Sequence, residues 1–398
     1  MKIVLPKLPK IPLPKTRYLV IGFCLVIAIL IAGLSYQTYT LSQKSSRLET
    51  EKTDSLSQLQ SIKGELDTLK NQDQVKRNEE LQTEITNIQK TYNSAVSVYE
   101  ELLKLQESSK NTDEMEKLFA QALSLLSKRN YTEAASTITT LSGKIEEEQN
   151  KIAASFTIPE NVPTNNAPPG SGYSRQQVST DTGTFMVSLV AGDLGSTRVI
   201  VDTASDSTCT DNCPVLPLAT YVSRSGAYAG VNGSYFCPAS YPTCVGKTNS
   251  FDLLLMNKNK TYFNSDNNVY SNNPAVIFGS GYIRFVGAAS QWGRDTGIDG
   301  MLSNYPLLVS GGNISFGGSD DPKQGSKGSR SFVANKGNTV YIGVVHSATV
   351  AEAARVMKAL GMENALNLDD GGSTALWSGG YKVGPGRDLP NVILFVSK

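Results

Sequence analysis

Apolar and polar positions divide the chain into stretches with different periods. Tyr18 to Leu34 form an unbroken apolar run with no charge. At about 1.5 Å of rise per residue, that run and its flanks match a hydrocarbon core of roughly 30 Å, which predicts a transmembrane helix over 18–36. From 37 to 152 the sequence turns polar, with apolar residues three and four apart: Leu41, Leu48, Leu59, Ile62, Leu66, Leu69, then Leu81, Ile85, Ile88, Tyr92, Val96, Tyr99 and Leu103. One stripe on a long helix predicts a coiled-coil stalk or a long helical hairpin. The polar stretch Asn71–Glu80 interrupts it. Past Asn111 two shorter amphipathic pieces, 113–128 and 131–151, flank Arg129-Asn-Tyr-Thr, which reads as a hairpin turn. Nothing in the stalk is assigned chemistry; it reads as a spacer that could pair with further copies of itself.

Composition then shifts twice. The stalk has two glycines and no proline, whereas 28 glycines lie beyond residue 175. Between them, residues 153–175 carry Pro159, Pro163, Pro168 and Pro169 among Asn, Thr and Ser, the signature of a linker. Residues 176–398 hold strand-like runs: Phe185–Val190, Arg198–Val201, Val276–Phe278, Tyr282–Val286, Val340–Val345 and Val392–Val396. One helix is evident, opened by a Thr349/Glu352 capping box and stopped near Gly361. A strand, Ala365–Leu368, follows it and ends at Asp369. The expectation is an α+β chain whose C-terminal globular domain is built on a mixed sheet.

Charge sets topology. Lys2, Lys7, Lys10, Lys15 and Arg17, with no acid among them, mark residues 1–17 as a cytoplasmic tail. The chain is then a single-pass protein of the cell membrane with its C-terminal domain outside the cytoplasm. A cleaved signal peptide is the rival, although its apolar region is normally shorter and ends at a small-residue site. A net charge of +1 gives no reason to expect nucleic acid as a partner. Four clustered cysteines outside the cytoplasm, Cys209, Cys213, Cys237 and Cys244, predict two disulfides in one of three connectivities. Local pairing, 209–213 and 237–244, closes the shortest loops. Their spacings match no common zinc signature, and His346 is the single histidine.

Candidate chemistry centres on Leu366-Asn-Leu-Asp-Asp-Gly-Gly-Ser-Thr374. A buried strand runs out into two acids, two glycines and two hydroxyls. Glycines allow a sharp turn or close backbone approach, and exposed amides can hold an anion. A plain Asp-Gly turn is the bland reading. Beyond residue 175 only Glu352 and Glu363 are glutamates, so a working carboxylate there is expected to be an aspartate. Gly230-Val-Asn-Gly-Ser-Tyr-Phe236 reads alone as a turn, Arg330 lies in a Gly/Ser-rich loop before a strand, and His346 ends the strand before the capped helix. No cofactor is expected and no metal motif is present, though Asp369 with Asp370, or Asp320 with Asp321, could hold Ca²⁺ with backbone oxygens.

Read together, residues 225–396 resemble the phosphodiester glycosidase domain. This is the catalytic module of the uncovering enzyme that removes N-acetylglucosamine from a phosphodiester, and its bacterial relatives are associated with exopolysaccharide. Asn232-Gly-Ser-Tyr-Phe236 stands where the family has an Asn-Gly-Gly-Phe-Phe-like element. Arg330-Ser-Phe-Val-Ala334 matches its Arg-Thr-Ala-like element, and Leu366-Asn-Leu-Asp-Asp-Gly-Gly-Ser373 its Leu-Asn-Leu-Asp-Gly-Gly-Gly-Ser. Gly386-Arg-Asp-Leu-Pro-Asn391 matches the closing Gly-x-Arg-x-x-x-Asn. Asp370 departs from the family's glycine, and Ser234 from its second glycine.

The resemblance implies a hydrolase of sugar-1-phosphodiesters in envelope glycans or exopolysaccharide. Asp369 would supply the catalytic carboxylate and Arg330 grip the phosphate. Asn232, Gly233, Gly371, Gly372 and Ser373 would orient substrate, with His346 and Arg387 contributing. Alternation at a strand end would aim Asp369 into the pocket and leave Asp370 on the rim or bonded to the turn. The competing readings are a non-catalytic glycan-binding module and an envelope-assembly module on a stalk.

Overall fold

A computed structural model describes residues 16–70 and 73–398, so Lys2, Lys7, Lys10 and Lys15 of the expected basic tail lie outside the described residues. The chain forms two compact units, residues 1–86 and 87–398. Seven α-helices occur among the described residues: α1 (Thr16–Lys70), α2 (Asp73–Gln106), α3 (Asp113–Ser127), α4 (Tyr131–Ser155), α5 (Leu218–Ser225), α6 (Pro322–Gly325) and α7 (Val350–Ala359).

In the first unit α1 is one helix, long and apolar enough near its start to cross a membrane. A signal sequence near an N-terminus has the same character. The stripe of Leu41, Leu48, Leu59, Ile62, Leu66 and Leu69 is exposed along it.

The second unit begins in α2, whose C-terminal half buries Ala95, Val98, Leu102 and Leu105 against α3 and α4. The expected turn is present. Arg129 takes a left-handed conformation (φ 59°), and the Asn130 side chain caps α4 by accepting from the Glu133 N–H.

Three antiparallel sheets follow. The largest runs in the order Gly172–Thr180, Gly183–Asp193, Thr339–Ala348, Gly328–Lys336, Asn364–Asn367, Leu307–Ser310, Asn313–Ile314. The second runs Tyr381–Val383, Leu376–Ser378, Ala229–Asn232, Asn391–Ser397, Thr197–Thr203. The third runs Tyr262–Phe263, Leu255–Met256, Gly300–Ser303, Ala275–Gly279, Tyr282–Val286. Period-two alternation decides which side chains meet between sheets. Val199 and Val201, Val276 and Phe278, and Ile342 and Val344 enter one shared core. Ile200 turns instead to α5, and Ala275 and Ile277 to a satellite core around Trp292. The outer face of the large sheet is covered by α7 through Val350, Ala353, Ala354, Val356 and Met357. The Thr349/Glu352 capping box is formed in both directions. The architecture is α+β, as the sequence predicts.

Two segments differ from expectation. The stretch read as linker is stitched to the first strand: Gln177 N–H donates to Pro163 O (2.8 Å), Asn165 N–H to Gln177 O (2.9 Å), and Val162 is buried. Polar, proline-rich sequence hides such pairing because the bonds are backbone bonds. Helix α5 and the one-turn α6 are also additional to the single helix expected in this domain, and α5 is the longer of the two. The signals of α5 are Pro217 before it and Gly226 after it, the latter at φ 60° where glycine closes a helix.

Candidate active site

The strand Asn364–Asn367 lies inside the large sheet, between Gly328–Lys336 and Leu307–Ser310, and delivers Asp369 and Asp370 to a 3-10 turn, Gly371–Ser373. Asp369 is held through its backbone. Its N–H donates to Gly233 O (2.9 Å), and its carbonyl accepts from Asn232 Nδ2 (2.6 Å). Asn232 Oδ1 accepts from Ser331 Oγ (2.8 Å) and Ala375 N–H (3.1 Å). Asn232 is completely buried, so its amide fixes the turn instead of meeting sugar or phosphate as expected. Asn391 locks the same corner: its Oδ1 accepts from Ser234 N–H (2.8 Å). Gly233 is required because any Cβ there would overlap Asn391. Its part is close packing, with no place in the cavity lining.

Asp370 is not the rim residue that strand alternation suggested. The paired strand ends at Asn367, Asp370 keeps an extended backbone (φ −124°, ψ 177°) ahead of the turn, and both aspartates line one cavity of about 240 Å³. Asp370 Oδ2 accepts from Arg330 Nη1 (3.2 Å) and Asn367 Nδ2 (3.0 Å), and its Oδ1 from Ser331 N–H (3.1 Å). Arg330, expected to grip phosphate, is 1% exposed and largely committed to protein acceptors. Its Nε donates to Ala348 O (2.9 Å), Nη1 to Lys323 O (3.1 Å), and Nη2 to Ser326 O. Tyr235 closes the group, its hydroxyl accepting from Asn367 Nδ2 (2.8 Å).

Asp369 faces this cavity with its carboxyl raised to about 7. Burial is the main cause, Asp370 adds to it, and Ser373 and Arg387 oppose it. A carboxyl balanced near neutrality beside cations can bear charge or carry a proton. Arg387 lines the cavity too, ion-paired with Glu107 and stacked over the Tyr241 ring at 5.5 Å. Cys237 and Cys244 are bonded, as are Cys209 and Cys213, in the local pairing expected. The first bridge braces the loop that carries Tyr241 and Thr243 into the cavity wall.

His346 lies apart from this group. It donates to or accepts from Ser188 Oγ (3.0 Å), stacks on Phe156, and lines an adjoining cavity with Gly371 and Gly372. Burial, then the Arg175 charge, lower it to about 4, so it is neutral near pH 7.

The spacer reading of the stalk fails at one end. Lys104 of α2 and Glu107 just past it reach the motif glycines. Gly371 sits at φ 60°, and a methyl there would come 3.1 Å from Lys104 Cε. A methyl on Gly372 would overlap the Glu107 carboxylate and approach Arg387 Nη2 to 2.7 Å. The two glycines thus admit the helix end. No sequence signal marks these residues, since charges at Glu100, Lys104 and Glu107 read as an ordinary solvated helix face.

The site is a strand-end carboxylate near neutrality in a cavity of about 240 Å³ bordered by cations. Residues 225–396 match the model of the phosphodiester glycosidase family. No curated protein matches the chain. Among solved structures it is similar to the catalytic domain of zebrafish N-acetylglucosamine-1-phosphodiester α-N-acetylglucosaminidase, auto-inhibited by its pro-peptide, with 14% identity, TM-score 0.45, and 60% of this chain and 87% of that one covered. It is also similar to a hypothetical protein from Synechocystis (14% identity, TM-score 0.40, 57% of this chain covered), of which it spans 62% of the length. A third is a putative exported protein from Burkholderia pseudomallei (13% identity, TM-score 0.34, 54% and 74% covered).

Proposed function

We propose that the chain is a membrane-anchored glycosidase that hydrolyses sugar-1-phosphodiester bonds in envelope glycans or exopolysaccharide, with Asp369 as its carboxylate. The observation that carries this reading is the Asp369 carboxyl in a cation-lined cavity within the phosphodiester glycosidase domain. Cleavage passes through an oxocarbenium-like state, which ionised Asp369 stabilises by attack on C1 or by activating water. Water adds its oxygen to C1 while the phosphomonoester departs with the bridging oxygen. A phosphate leaving group needs little protonation, so the site can work without a second carboxylic acid. The cavity wall bearing Arg387 offers positive charge to the phosphate, whereas Arg330 supports Asp370 from behind. The apolar start of α1 supports anchoring to the membrane, and the exposed stripe of α1 supports self-association of the stalk.

Full-length protein in detergent, given a panel of sugar-1-phosphate diesters, should release reducing sugar, and Asp369→Asn should not. A folded wild type that is inert on every diester yet binds glycan would replace this reading with a non-catalytic binding module. The feature favouring that second reading is Asp370, an extra negative charge where the family has glycine.

A further inference from the structure

Glu100 and Lys104 of α2, with Glu107 just beyond it, are spaced four and three residues apart and therefore share one face. The two acids are tethers. Glu100 accepts from Thr243 N–H (3.2 Å) and pairs with Lys323 (3.2 Å), while Glu107 pairs with Arg387. Lys104 stands between them and lines the Asp369 cavity, yet among the described residues its ammonium has no hydrogen bond or ion pair. The other cations of that cavity are all matched: Arg330 by Asp370, Arg387 by Glu107, Lys323 by Glu100. Of the carboxylates nearby, Asp370 is held by Arg330, Asn367 and Ser331, and Asp369 Oδ1 by the Asp370 N–H (2.9 Å), while Glu101, three residues back on α2, interacts with Lys104 through its charge without an ion pair among the described residues.

A half-buried ammonium without an ion-pair partner is unfavourable, and an anion that reaches it removes the penalty. Burial and then the Arg330 charge lower Lys104 to about 8, with Asp370, Lys323 and Asp369 also acting on it. It therefore remains mostly protonated at neutral pH. A helix end serving only as packing would place an apolar or paired residue here, between two tethers already made.

We infer that Lys104 binds the phosphate of the substrate, so that the helical hairpin formed by α2, α3 and α4 completes the anion-binding half of the site. The naming of that anion as a sugar phosphodiester rests on the proposed function; the cation without a counter-ion rests on geometry alone. Its consequence is that substrate class is set partly by a segment outside the phosphodiester glycosidase domain.

The test is calorimetric titration of the full-length protein in detergent with two probes, inorganic phosphate and the methyl diester of N-acetylglucosamine 1-phosphate. The diester is titrated in an Asp369→Asn background so that it is not consumed. Lys104→Met should weaken both roughly 10- to 100-fold, the loss expected for a charge-assisted bond, and Lys104→Arg should restore most of it. Methyl N-acetylglucosaminide, which has no phosphate, should bind all three forms equally. Thermal unfolding of Lys104→Met at or above the wild-type temperature establishes that the loss is not unfolding. Unchanged phosphate and diester affinity in Lys104→Met overturns the inference. So does tighter binding or faster turnover in that variant, which would make the hairpin a plug. Lys104-dependent phosphate binding in a protein that neither binds nor cleaves any diester would uphold the anion site while sinking the glycosidase reading.

Discussion

The Asp370 carboxylate holds the Arg330 guanidinium at 3.2 Å, with the two side chains only 8% and 2% exposed. The same carboxylate accepts from the Ser331 N–H, so it ties the motif turn to the neighbouring strand. Replacing Asp370 with the family's glycine does more than remove a negative charge beside an anionic substrate. It leaves a buried arginine without its counter-ion, a change that costs on the order of 3 to 5 kcal/mol. Asp370→Gly should therefore lower the urea midpoint markedly at unchanged m-value. Full stability in that variant would show that Arg330 finds enough compensation from the carbonyls of Lys323, Ser326 and Ala348.

Asp369 sets a pH dependence whose sign follows from its raised carboxyl. Folded, it titrates near 7, whereas in the unfolded chain it titrates at about 4. Between those values the folded state binds more proton, so this group's contribution to stability falls as pH rises from about 4 to 7 and is level outside that window. Asp369→Asn should flatten that part of the stability profile. Hydrolysis that needs the carboxylate should rise with pH through about 7, and Asp369→Asn should abolish it at every pH. An activity profile unchanged between pH 5 and 8 would remove Asp369 from the role of ionised group.

Most of the sheet domain was legible because its strands are short apolar runs bounded by Gly, Asn and Asp, and its capped helix carries its signal in Thr349 and Glu352. The motif Leu366–Thr374 contributes Asp369, Asp370 and Gly372 to a cavity wall. What it could not show is direction: strand alternation put Asp369 and Asp370 on opposite sides, but strand pairing ends at Asn367 and both residues reach one cavity. Arg330 looked solvated because its loop is rich in Gly and Ser, yet its acceptors are carbonyls at Lys323, Ser326 and Ala348, which composition does not reveal. Lys104 and Glu107 were illegible for a related reason. They lie more than 260 residues before Asp369 in sequence, and nothing local distinguishes them from a wet helix face.

The Cys237–Cys244 bridge connects stability to the cavity wall. Thr243, inside the bridged loop, donates from both its N–H and its hydroxyl to Glu100 of α2. Cys237→Ser with Cys244→Ser should destabilise the domain by about 2 to 4 kcal/mol. It should also loosen the Glu100 tether, which hydrogen exchange at Thr243 would report as faster exchange than in the parent. Wild-type exchange at Thr243 in the double variant would mean that the loop is held by Tyr241 and its neighbours without the disulfide.

The start of α1 provides the last prediction. Phe23, Leu25, Ile29, Leu30, Ile31 and Leu34 are each more than half exposed along that helix among the described residues. In water each such side chain forgoes roughly 1.5 to 3 kcal/mol of burial, and a bilayer supplies that burial all round the helix. A retained anchor and a cleaved signal both fit the exposure, and they separate on fractionation. A retained anchor keeps the full-length protein with membranes through high-salt and carbonate washes and yields it to detergent, while protease added outside intact cells releases the sheet domain. A cleaved signal gives a soluble chain whose first residue, by terminal sequencing, falls near Tyr36. The first outcome is expected, because the apolar run ends in Ala32-Gly-Leu-Ser-Tyr36, a weak cleavage site, and passes into a helix that continues to Lys70.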